Sequence, residues 1–588
     1  MDQGRRIAPA LCVSGSRPRR SPFFATIMCR IAFRLAAPSL IAATLAIGPL
    51  HAQSRPAAAM TTLSRARIDS VFRFVTAGAP GCGAGIYRDG TLAWSKGYGL
   101  ASLEHQIPIN ARTVFDLGST SKQFTAALTL LLVADGKLTL ETPVRRVVTE
   151  LPAWGDSVTV RQLLHHTAGV RDYLSLFELA GVRTSDFASQ TQAIALVARQ
   201  QALDFTPGSA YSYSNSGYLL LAEIVTRLSG MPLAEVAQRR IFGPLGMTNT
   251  RFLDRYNAVV PARAWGYEPT ENGFTVEMSD FEQVGDGAVL TTLTDLAKWV
   301  RNYEQPTVGG AALVRELEAT GTVNAAPHMY ARGLMVDSTR GIRRVRHGGS
   351  WAGFRAELVR LPERRLGVAV LCNRSDANPV RFADRIIDAL LDEARVARTA
   401  SGASLPATTL PVEQSTAYAG SYFGGNMVVQ IVARRDTLFI QTGDEQYRLL
   451  QYAPGQFEMV GPPSRPTVQF IGSPATAISA VQVRAGGGDF EYRRFDPTAQ
   501  PTAADKQRFV GTWYSEELDA EWQITADSSG ALHVALPRHQ PEQARPISST
   551  ILSTPMGTIT LQTGRGSFDE FTVDTGRARG IRFRRVAR

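Results

Sequence analysis

The sequence predicts an α/β or α+β domain with a mixed sheet, followed by two small antiparallel β modules. Strand patterns occur at 83–97 and return at 345–371, whereas helical patterns dominate from 114 to about 240. After a linker, short alternating strands replace the helices, and two motifs recur at an offset of 91 residues. Helices between two groups of strands predict the α/β or α+β class of the first domain. The repeat predicts that the two modules share one fold.

The first 52 residues are predicted to be an export signal. A basic segment at 28–34 precedes an apolar stretch at 35–50, which is short for a membrane span, and Ala52 offers a small residue for cleavage. We place the start of the signal at Met28, with residues 1–27 upstream of it. We therefore expect an exported protein, either periplasmic or secreted, and the alternative is an uncleaved membrane anchor.

Charge gives no argument for a nucleic-acid partner. The chain carries a net charge of +11, but seven arginines and one aspartate within residues 1–52 contribute +6 and leave only +5 for the rest. The length of 588 residues predicts two to four domains. Beyond the signal segment, we expect no membrane partner.

The elements of the first domain follow from periodicity and breakers. A hairpin at 83–97 is predicted to turn at Asp89-Gly90, and strands are predicted at 354–361 and 366–371. Apolar helical patterns occur at 63–75, 124–133, 193–200, 218–228, 233–241, 294–303 and 379–395. We assign this domain to residues 60–397.

A linker and an internal repeat follow this domain. Residues 398–411 are rich in Ser, Thr, Ala and Pro. Tyr418-x-Gly-x-Tyr422 then recurs as Phe509-x-Gly-x-Trp513. We interpret 412–497 and 505–588 as two copies of one antiparallel module, either a barrel or a lipocalin-like sheet.

Ser119 and Lys122 are the first candidates for chemistry. They stand at the start of the apolar helix, and a spacing of three places them on one helical face, near backbone N–H groups. A weak nucleophile beside a base is what acyl transfer requires. The alternative for this motif alone is a helix-capping serine and a solvated lysine.

Two further motifs offer partners for this pair. Tyr213-Ser-Asn215 lies between a Pro-Gly break and a helix, and a phenol near an ammonium can lose its proton and act as a base. The amide of Asn215 can hold a substrate carbonyl or orient the lysine. In His347-Gly-Gly349-Ser350, glycines allow a substrate backbone to lie against the strand, and the next N–H can stabilise an oxyanion.

These three motifs, in this order and spacing, resemble the serine β-lactamase/penicillin-binding superfamily, and more specifically the class C β-lactamase-related serine hydrolases. The overall plan is similar to bacterial D-aminopeptidases. The resemblance covers about residues 60–395 and is supported by the stretches at 163–169, 207–215, 241–247, 287–299 and 347–354. It implies an antiparallel sheet flanked by helices, and β modules that pack against the hydrolase domain and restrict its cleft. The alternative for these modules is a passive stabilising appendage.

The resemblance also implies a role for each motif residue. Ser119 would be the acylated nucleophile, Lys122 would help deprotonate it, and Tyr213 would act as general base and then protonate the leaving group. The substrate and its oxyanion would be bound by Asn215, His347, Gly349, Ser350 and the backbone N–H of Ser119.

The chain departs from most of this superfamily at His347, where a lysine is usual. A histidine is mostly neutral at neutral pH, so a permanent cation for a substrate carboxylate is missing, unless Arg346 or Arg355 replaces it. We therefore expect a serine hydrolase that forms an acyl-enzyme on an ester or amide, with D-amino-acid peptides, D-amino-acid amides and small esters as candidates. The alternatives are a β-lactamase and a non-hydrolytic penicillin-binding sensor or peptidoglycan-binding protein.

Cysteines and histidines predict no metal or cofactor site. His165 and His166 are interpreted as structural, and the spacing of Cys82 and Cys372 fits neither a zinc site nor a redox pair. Two buried free thiols are the default expectation, although the resemblance places the two cysteine strands side by side. The expected partner is a small-molecule or peptide substrate, with cell-wall peptides among the candidates, and the oligomeric state stays open.

Overall fold

A computed structural model describes residues 62–393 and 411–586, except for 425–426, 443–444, 461–465, 486–487, 499–500 and 563–568. The predicted export signal and all but the last residue of the predicted linker lie outside the described residues. Among the helices of the described part, none is long and apolar enough to cross a membrane.

A six-stranded antiparallel sheet forms the centre of the first domain. Its strands, in chain order, are β1 (Cys82–Arg88), β2 (Thr91–Tyr98), β3 (Met335–Thr339), β4 (Ile342–Trp351), β5 (Phe354–Leu361) and β6 (Leu366–Cys372), and their spatial order is β3-β4-β5-β6-β1-β2. Tight turns join β1 to β2 and β3 through β6 in sequence, which forces antiparallel pairing. The antiparallel sheet implied by the resemblance is confirmed, and the mixed sheet expected from the strand pattern is wrong.

Helices cover both faces of this sheet. They are α1 (Thr62–Val71), α2 (Lys122–Ala134), α3 (Val160–Leu164), α4 (Tyr173–Leu179), α5 (Gln190–Ala198), α6 (Asn215–Ser229), α7 (Leu233–Ala237), α8 (Gly243–Leu245), α9 (Leu293–Glu304), α10 (Gly310–Leu317) and α11 (Pro379–Glu393). α1 and α11 bury one face together with residues such as Val370 and Ile386, whereas the other face joins the larger core built around α2 and α6.

Short pieces of secondary structure connect these elements. The 3₁₀ turns are Gly118–Ser121, Val144–Arg146, Ala153–Asp156 and Pro362–Arg364, and a π turn spans Gln238–Phe242. The short strands are Leu100–Ser102, Ile107–Pro108, Phe115–Asp116, Arg251–Phe252, Tyr267–Thr270, Gly273–Val276, Val289–Thr291, Thr322–Val323 and Ala326–Pro327.

Two closed eight-stranded antiparallel barrels follow, which confirms the predicted β modules. The first follows α12 (Val412–Tyr418) and contains Gly420–Gly424, Met427–Arg434, Thr437–Thr442, Glu445–Ala453, Gln456–Val460, Thr467–Ser473, Ala477–Ala485 and Gly488–Phe495. The second follows α13 (Ala503–Gln507) and contains Gly511–Ser515, Ala520–Ala526, Leu532–Ala535, Glu542–Pro546, Ile551–Ser553, Thr558–Leu561, Glu570–Asp574 and Ile581–Arg585.

The repeated motif has the same physical role in both barrels. In the first barrel, buried Tyr422 donates its hydroxyl hydrogen to the carbonyl of Tyr418, and Arg494 donates to two carbonyls beside it. In the second barrel, Trp513 and Arg585 make the equivalent bonds. The glycines of the motif have φ of +154° and +148°, and a Cβ there would meet the arginine. The recurring residues are therefore an aromatic and arginine cap at one end of each barrel.

A disulfide joins Cys82 to Cys372, so the default expectation of two free thiols is wrong. β1 and β6 are neighbours, and their register places the two cysteines directly opposite each other, with Cα atoms 4.0 Å apart. The cysteines are 290 residues apart in sequence, which is why their spacing could not reveal the pairing.

We expect the double variant Cys82→Ser/Cys372→Ser to have a free energy of unfolding about 2–4 kcal/mol below that of the oxidised protein, because the open chain regains the entropy of a long loop. Denaturant unfolding of the hydrolase domain, followed by tryptophan fluorescence, measures the difference. Reduced wild type is the control and is expected to resemble the double variant. Residues 1–52 contain the two other cysteines, so the contradicting result is alkylation of Cys82 and Cys372 themselves in denatured but unreduced protein, identified by peptide mass.

Candidate active site

A cavity of about 920 Å³ lies where β4 meets the start of α2 and the loop before α6. Six of the predicted site residues line it: Ser119, Tyr213, Asn215, His347, Gly349 and Ser350. Lys122, the seventh, is fully buried beside them. The structure therefore brings all the predicted residues together, although they come from three separate parts of the chain.

Ser119 lies in the 3₁₀ turn that precedes α2. Gly118 has a φ of +49°, and its N–H donates to Asp116 Oδ1 at 2.8 Å, so the chain turns sharply before the serine. Thr120 then donates its hydroxyl hydrogen to the carbonyl of His347 at 3.0 Å, which ties the turn to β4. A Cβ on Gly118 would stand 2.7 Å from the backbone nitrogen of Ser350. The turn and the strand are consequently in backbone contact.

Glycine is required on the strand side of this contact as well. A Cβ on Gly349 would lie 1.8 Å from the carbonyl oxygen of Leu117, a distance that no side chain can occupy. The glycine thus lets β4 approach the 3₁₀ turn that carries Ser119. Ser119 and Ser350 both line the cavity, and a Cβ on Gly349 would also lie 3.1 Å from the backbone nitrogen of Ser119. Two backbone N–H groups near one cavity are what an oxyanion site requires.

The amine of Lys122 contacts three oxygens. Nζ is 2.7 Å from Asn215 Oδ1, 2.7 Å from the carbonyl oxygen of Asp286 and 3.2 Å from Ser119 Oγ. Burial lowers its pKa to about 8, although the nearby carboxylates of Asp286 and Asp172 oppose this change. Lysine is normally almost fully protonated at neutral pH. The lowered pKa of Lys122 increases the fraction of the neutral amine.

Asn215 is held by the start of α6 and by Asp172. One carboxylate oxygen of Asp172 accepts the first N–H groups of α4, from Leu174 and Ser175, and the other accepts the N–H of Asn215 at 2.6 Å. Asp172 therefore joins the starts of two helices directly behind the site. Nothing near Asp172 in the sequence reveals that Asn215 is its partner.

Tyr213 lies near Ser119 and the ring of His166. Its ring is 4.2 Å from the ring of His166, and Lys122 Nζ is 4.9 Å from its centroid. Burial raises the pKa of the phenol, while Ser119 and Arg577 oppose the increase. This environment favours the neutral phenol at neutral pH.

His347 uses both ring nitrogens within the protein. Nδ1 is 2.6 Å from the carbonyl oxygen of Gly348, and Nε2 is 3.0 Å from Tyr330 Oη. Burial lowers its pKa to about 3, and Lys122 adds to the decrease. In the neutral ring, Nδ1 must carry the hydrogen, since a carbonyl oxygen only accepts, so Nε2 accepts from Tyr330. The imidazole is therefore not a cation for a substrate carboxylate.

The two arginines suggested as replacements for that charge also line the cavity, and each faces partners within the protein. Arg346 faces Asp337 and Glu357, with nitrogen–oxygen distances of 3.4 and 3.7 Å. Arg355 donates to the carbonyls of Ala352 and Phe354, both at 2.7 Å.

Besides Asp172, sequence reasoning missed four residues of the site: Asp286, Tyr173, Tyr330 and Arg577. Asp286 supplies a carbonyl to Lys122, and its carboxylate accepts from Tyr173 at 3.2 Å. Tyr330 bonds to His347, and Arg577 reaches the cavity from the second barrel. None of the four stands in a motif, so no sequence signal could have identified them. In the described part of the chain, no group of His, Cys, Asp and Glu has the arrangement of a metal site; His166 instead accepts the N–H of Ser214.

The fold and the site define a serine β-lactamase/penicillin-binding type of protein, in which a serine and a buried lysine meet beside an antiparallel sheet. The sequence model of the Beta-lactamase family matches residues 59–393, and the chain belongs to this family.

Several D-aminopeptidases are similar in sequence. One from Cereibacter sphaeroides (strain KD131 / KCTC 12085) is 27% identical over 468 residues, which cover 77% of this chain and 83% of the relative. Another, from Brucella anthropi, is 29% identical over 311 residues, 52% of this chain and 58% of the relative.

Two solved structures resemble the fold. The crystal structure of SurE with D-Leu has a TM-score of 0.52 and 26% identity, and the match covers 74% of this chain and 98% of that one. The octameric penicillin-binding protein homologue from Pyrococcus abyssi has a TM-score of 0.50 and 22% identity over 73% of this chain and 98% of that one. The second of these supports the fold alone.

We expect Gly349→Ala to slow labelling of Ser119 by a neutral fluorophosphonate by about 100-fold or more, because β4 must move and one oxyanion donor is lost. Gel fluorescence measures the labelling rate, and the thermal midpoint reports folding. Gly576→Ala is the control, since its added Cβ has no atom within 4 Å. Equal labelling rates in the two variants would show that the close approach of the strand is not needed.

Proposed function

We propose that this protein is a serine hydrolase that cleaves amide bonds next to a D-amino acid, through an acyl-enzyme at Ser119. The observation that carries the proposal is the buried amine of Lys122, 3.2 Å from Ser119 Oγ, with its pKa lowered to about 8. D-amino-acid specificity is supported by the D-aminopeptidases that share 26–29% identity with this chain.

Lys122 is the general base of the proposed acylation. The oxygens of Asn215 and Asp286 can only accept hydrogen bonds, so each takes one N–H of the amine. In the neutral amine, the remaining position is the lone pair, which then faces Ser119. The lysine accepts the hydroxyl proton while the serine oxygen attacks the carbonyl carbon.

Tyr213 completes the proton path in this proposal. Its neutral phenol donates a proton to the leaving amine, and the resulting phenolate, stabilised by the ammonium 4.9 Å from its ring, recovers the proton from Lys122. Deacylation runs the same path with water as the nucleophile. Tyr213 thus acts first as an acid, which fits the raised pKa of its hydroxyl.

The remaining residues bind the substrate in this scheme. The backbone N–H groups of Ser119 and Ser350 hold the oxyanion, and loss of one such donor costs on the order of 3 kcal/mol in other serine hydrolases. Asn215 contacts the substrate amide, and Gly349 leaves room for the substrate backbone along β4. His347 acts by holding Tyr330 and the strand rather than by contacting substrate.

We further propose that the protein works outside the cytoplasm, as the predicted signal suggests. The disulfide between Cys82 and Cys372 supports this location, because such bonds persist in oxidising compartments. Short peptides that contain D-residues, including those of the cell wall, are the natural class of substrate in this setting.

Ser119→Ala is expected to abolish turnover of every substrate that the wild type cleaves, since no other group can take the acyl. The panel is D-alanine p-nitroanilide, a D-Ala-D-Ala peptide, a p-nitrophenyl ester and nitrocefin, followed by absorbance or amine release. Ser157→Ala, on the exposed surface, is the control. Retained turnover in Ser119→Ala would refute the mechanism, and a single acylation without turnover in wild type would favour the sensor.

The value of kcat/KM is expected to rise with pH and to level off above about pH 8, because only neutral Lys122 accepts the serine proton. Below that value, the neutral fraction falls tenfold per pH unit. Initial rates from about pH 6 to about pH 10 measure the profile, with exposed Lys137→Gln as the control. A rate that is constant through pH 8 would exclude Lys122 as the base.

A further inference from the structure

A positive charge reaches the cavity from outside the hydrolase domain. Arg577 lies in the turn between the last two strands of the second barrel, and its guanidinium carbon is 5.0 Å from the centroid of the Tyr213 ring. It lines the same cavity as Ser119 and is exposed there. The charge therefore lies beside the reacting groups.

The turn that carries Arg577 is firmly attached to the hydrolase domain. The carbonyl of Arg577 accepts the N–H of Asp172 at 2.9 Å, and Arg579 donates its N–H to Asp204 at 2.8 Å. Behind it, Arg171 and Glu517 form a buried ion pair at 2.8 Å. Asp172 is also the residue that fixes Asn215, so the turn and the substrate amide site share one anchor.

The Arg577 guanidinium has no hydrogen bond or ion pair in the described residues, in contrast to Arg346 and Arg355. His347 is neutral, with both ring nitrogens in use. Arg346, the cation that β4 itself brings to the cavity, faces Asp337 and Glu357, whereas Arg577 brings a cation without such partners in the described part of the chain from the second barrel.

We propose that Arg577 binds a carboxylate on the residue that leaves when the amide bond is cleaved. This inference rests on the proposed function, in which Tyr213 protonates the leaving amine. Since Arg577 lies over the Tyr213 ring, its guanidinium is on the leaving-group side. The α-carboxylate of a leaving amino acid is two bonds from the scissile nitrogen, and a guanidinium binds a carboxylate through two parallel hydrogen bonds.

The substrate class that follows is a D-residue linked to a terminal amino acid with a free carboxylate. Dipeptides and the carboxyl-terminal ends of longer peptides belong to this class, whereas simple amides and esters do not. A purely electrostatic role for Arg577, through Tyr213, makes a different prediction: its loss would affect acidic and amidated substrates equally.

Binding to the acylation-dead variant Ser119→Ala tests the inference without any turnover. Calorimetry compares N-acetyl-D-alanyl-D-alanine with its carboxyl-terminal amide. We expect the acid to bind about 10- to 100-fold more tightly, as is typical of a hydrogen-bonded charge pair. Adding Arg577→Gln is expected to reduce the difference to about twofold or less, and adding Arg579→Gln is expected to preserve it.

Arg579 is the matched control because it is an exposed arginine on the same turn, and it contacts Asp204 through its backbone N–H. If Arg577→Gln does not fold, Arg577→Met provides a second neutral variant. Equal binding of acid and amide, binding of neither, or a preference that survives neutralisation of Arg577 would overturn the inference. A preference without turnover in wild type would instead refute the proposed function and leave the inference standing.

Discussion

The burial of one amine is the constraint on which the site depends. Lys122 loses its hydration completely, and three oxygens from different parts of the chain replace the water. A buried ammonium is costly, so the fold must either supply acceptors or shift the lysine towards its neutral form, and here it does both. The buried lysine consequently needs the oxygens of Asn215 and Asp286 as hydrogen-bond acceptors even when no substrate is bound.

Other features follow from holding those acceptors in place. Asn215 is fixed because the carboxylate of Asp172 joins the starts of α4 and α6. The backbone N–H of Asp172 in turn donates to the carbonyl of Arg577. Gly118 and Gly349 allow the 3₁₀ turn that carries Ser119 to contact β4. Catalytic geometry and the docking of the second barrel are therefore parts of one hydrogen-bonded arrangement.

The sequence was sufficient for residues that occur in compact motifs. Ser119 and Lys122 share a helical turn. Tyr213 and Asn215 are two residues apart in sequence, as are His347 and Gly349, so the members of each pair must lie near each other in any fold. Asp286, Tyr330 and Arg577 could not be found, because each acts through a partner that is distant in sequence and stands in no motif. The strand pattern alone predicted a mixed sheet, because strand periodicity reports which face is buried but not which way the neighbouring strand runs. The antiparallel direction came only from the resemblance. The barrels were predictable because their capping residues repeat.

The bond between Cys82 and Cys372 has a consequence for resistance to proteolysis. All the predicted site residues from Ser119 to Ser350 lie within the covalent ring that it closes, whereas Arg577 lies beyond it. A protease that cuts any one exposed loop of this ring leaves the two fragments linked and the sheet paired. A cut in the stretch after α11 would instead separate the barrels from the hydrolase, apart from their noncovalent contacts. After a cut within the ring, the predicted site residues stay covalently joined, whereas after a cut beyond it Arg577 is held at the cavity by noncovalent contacts alone.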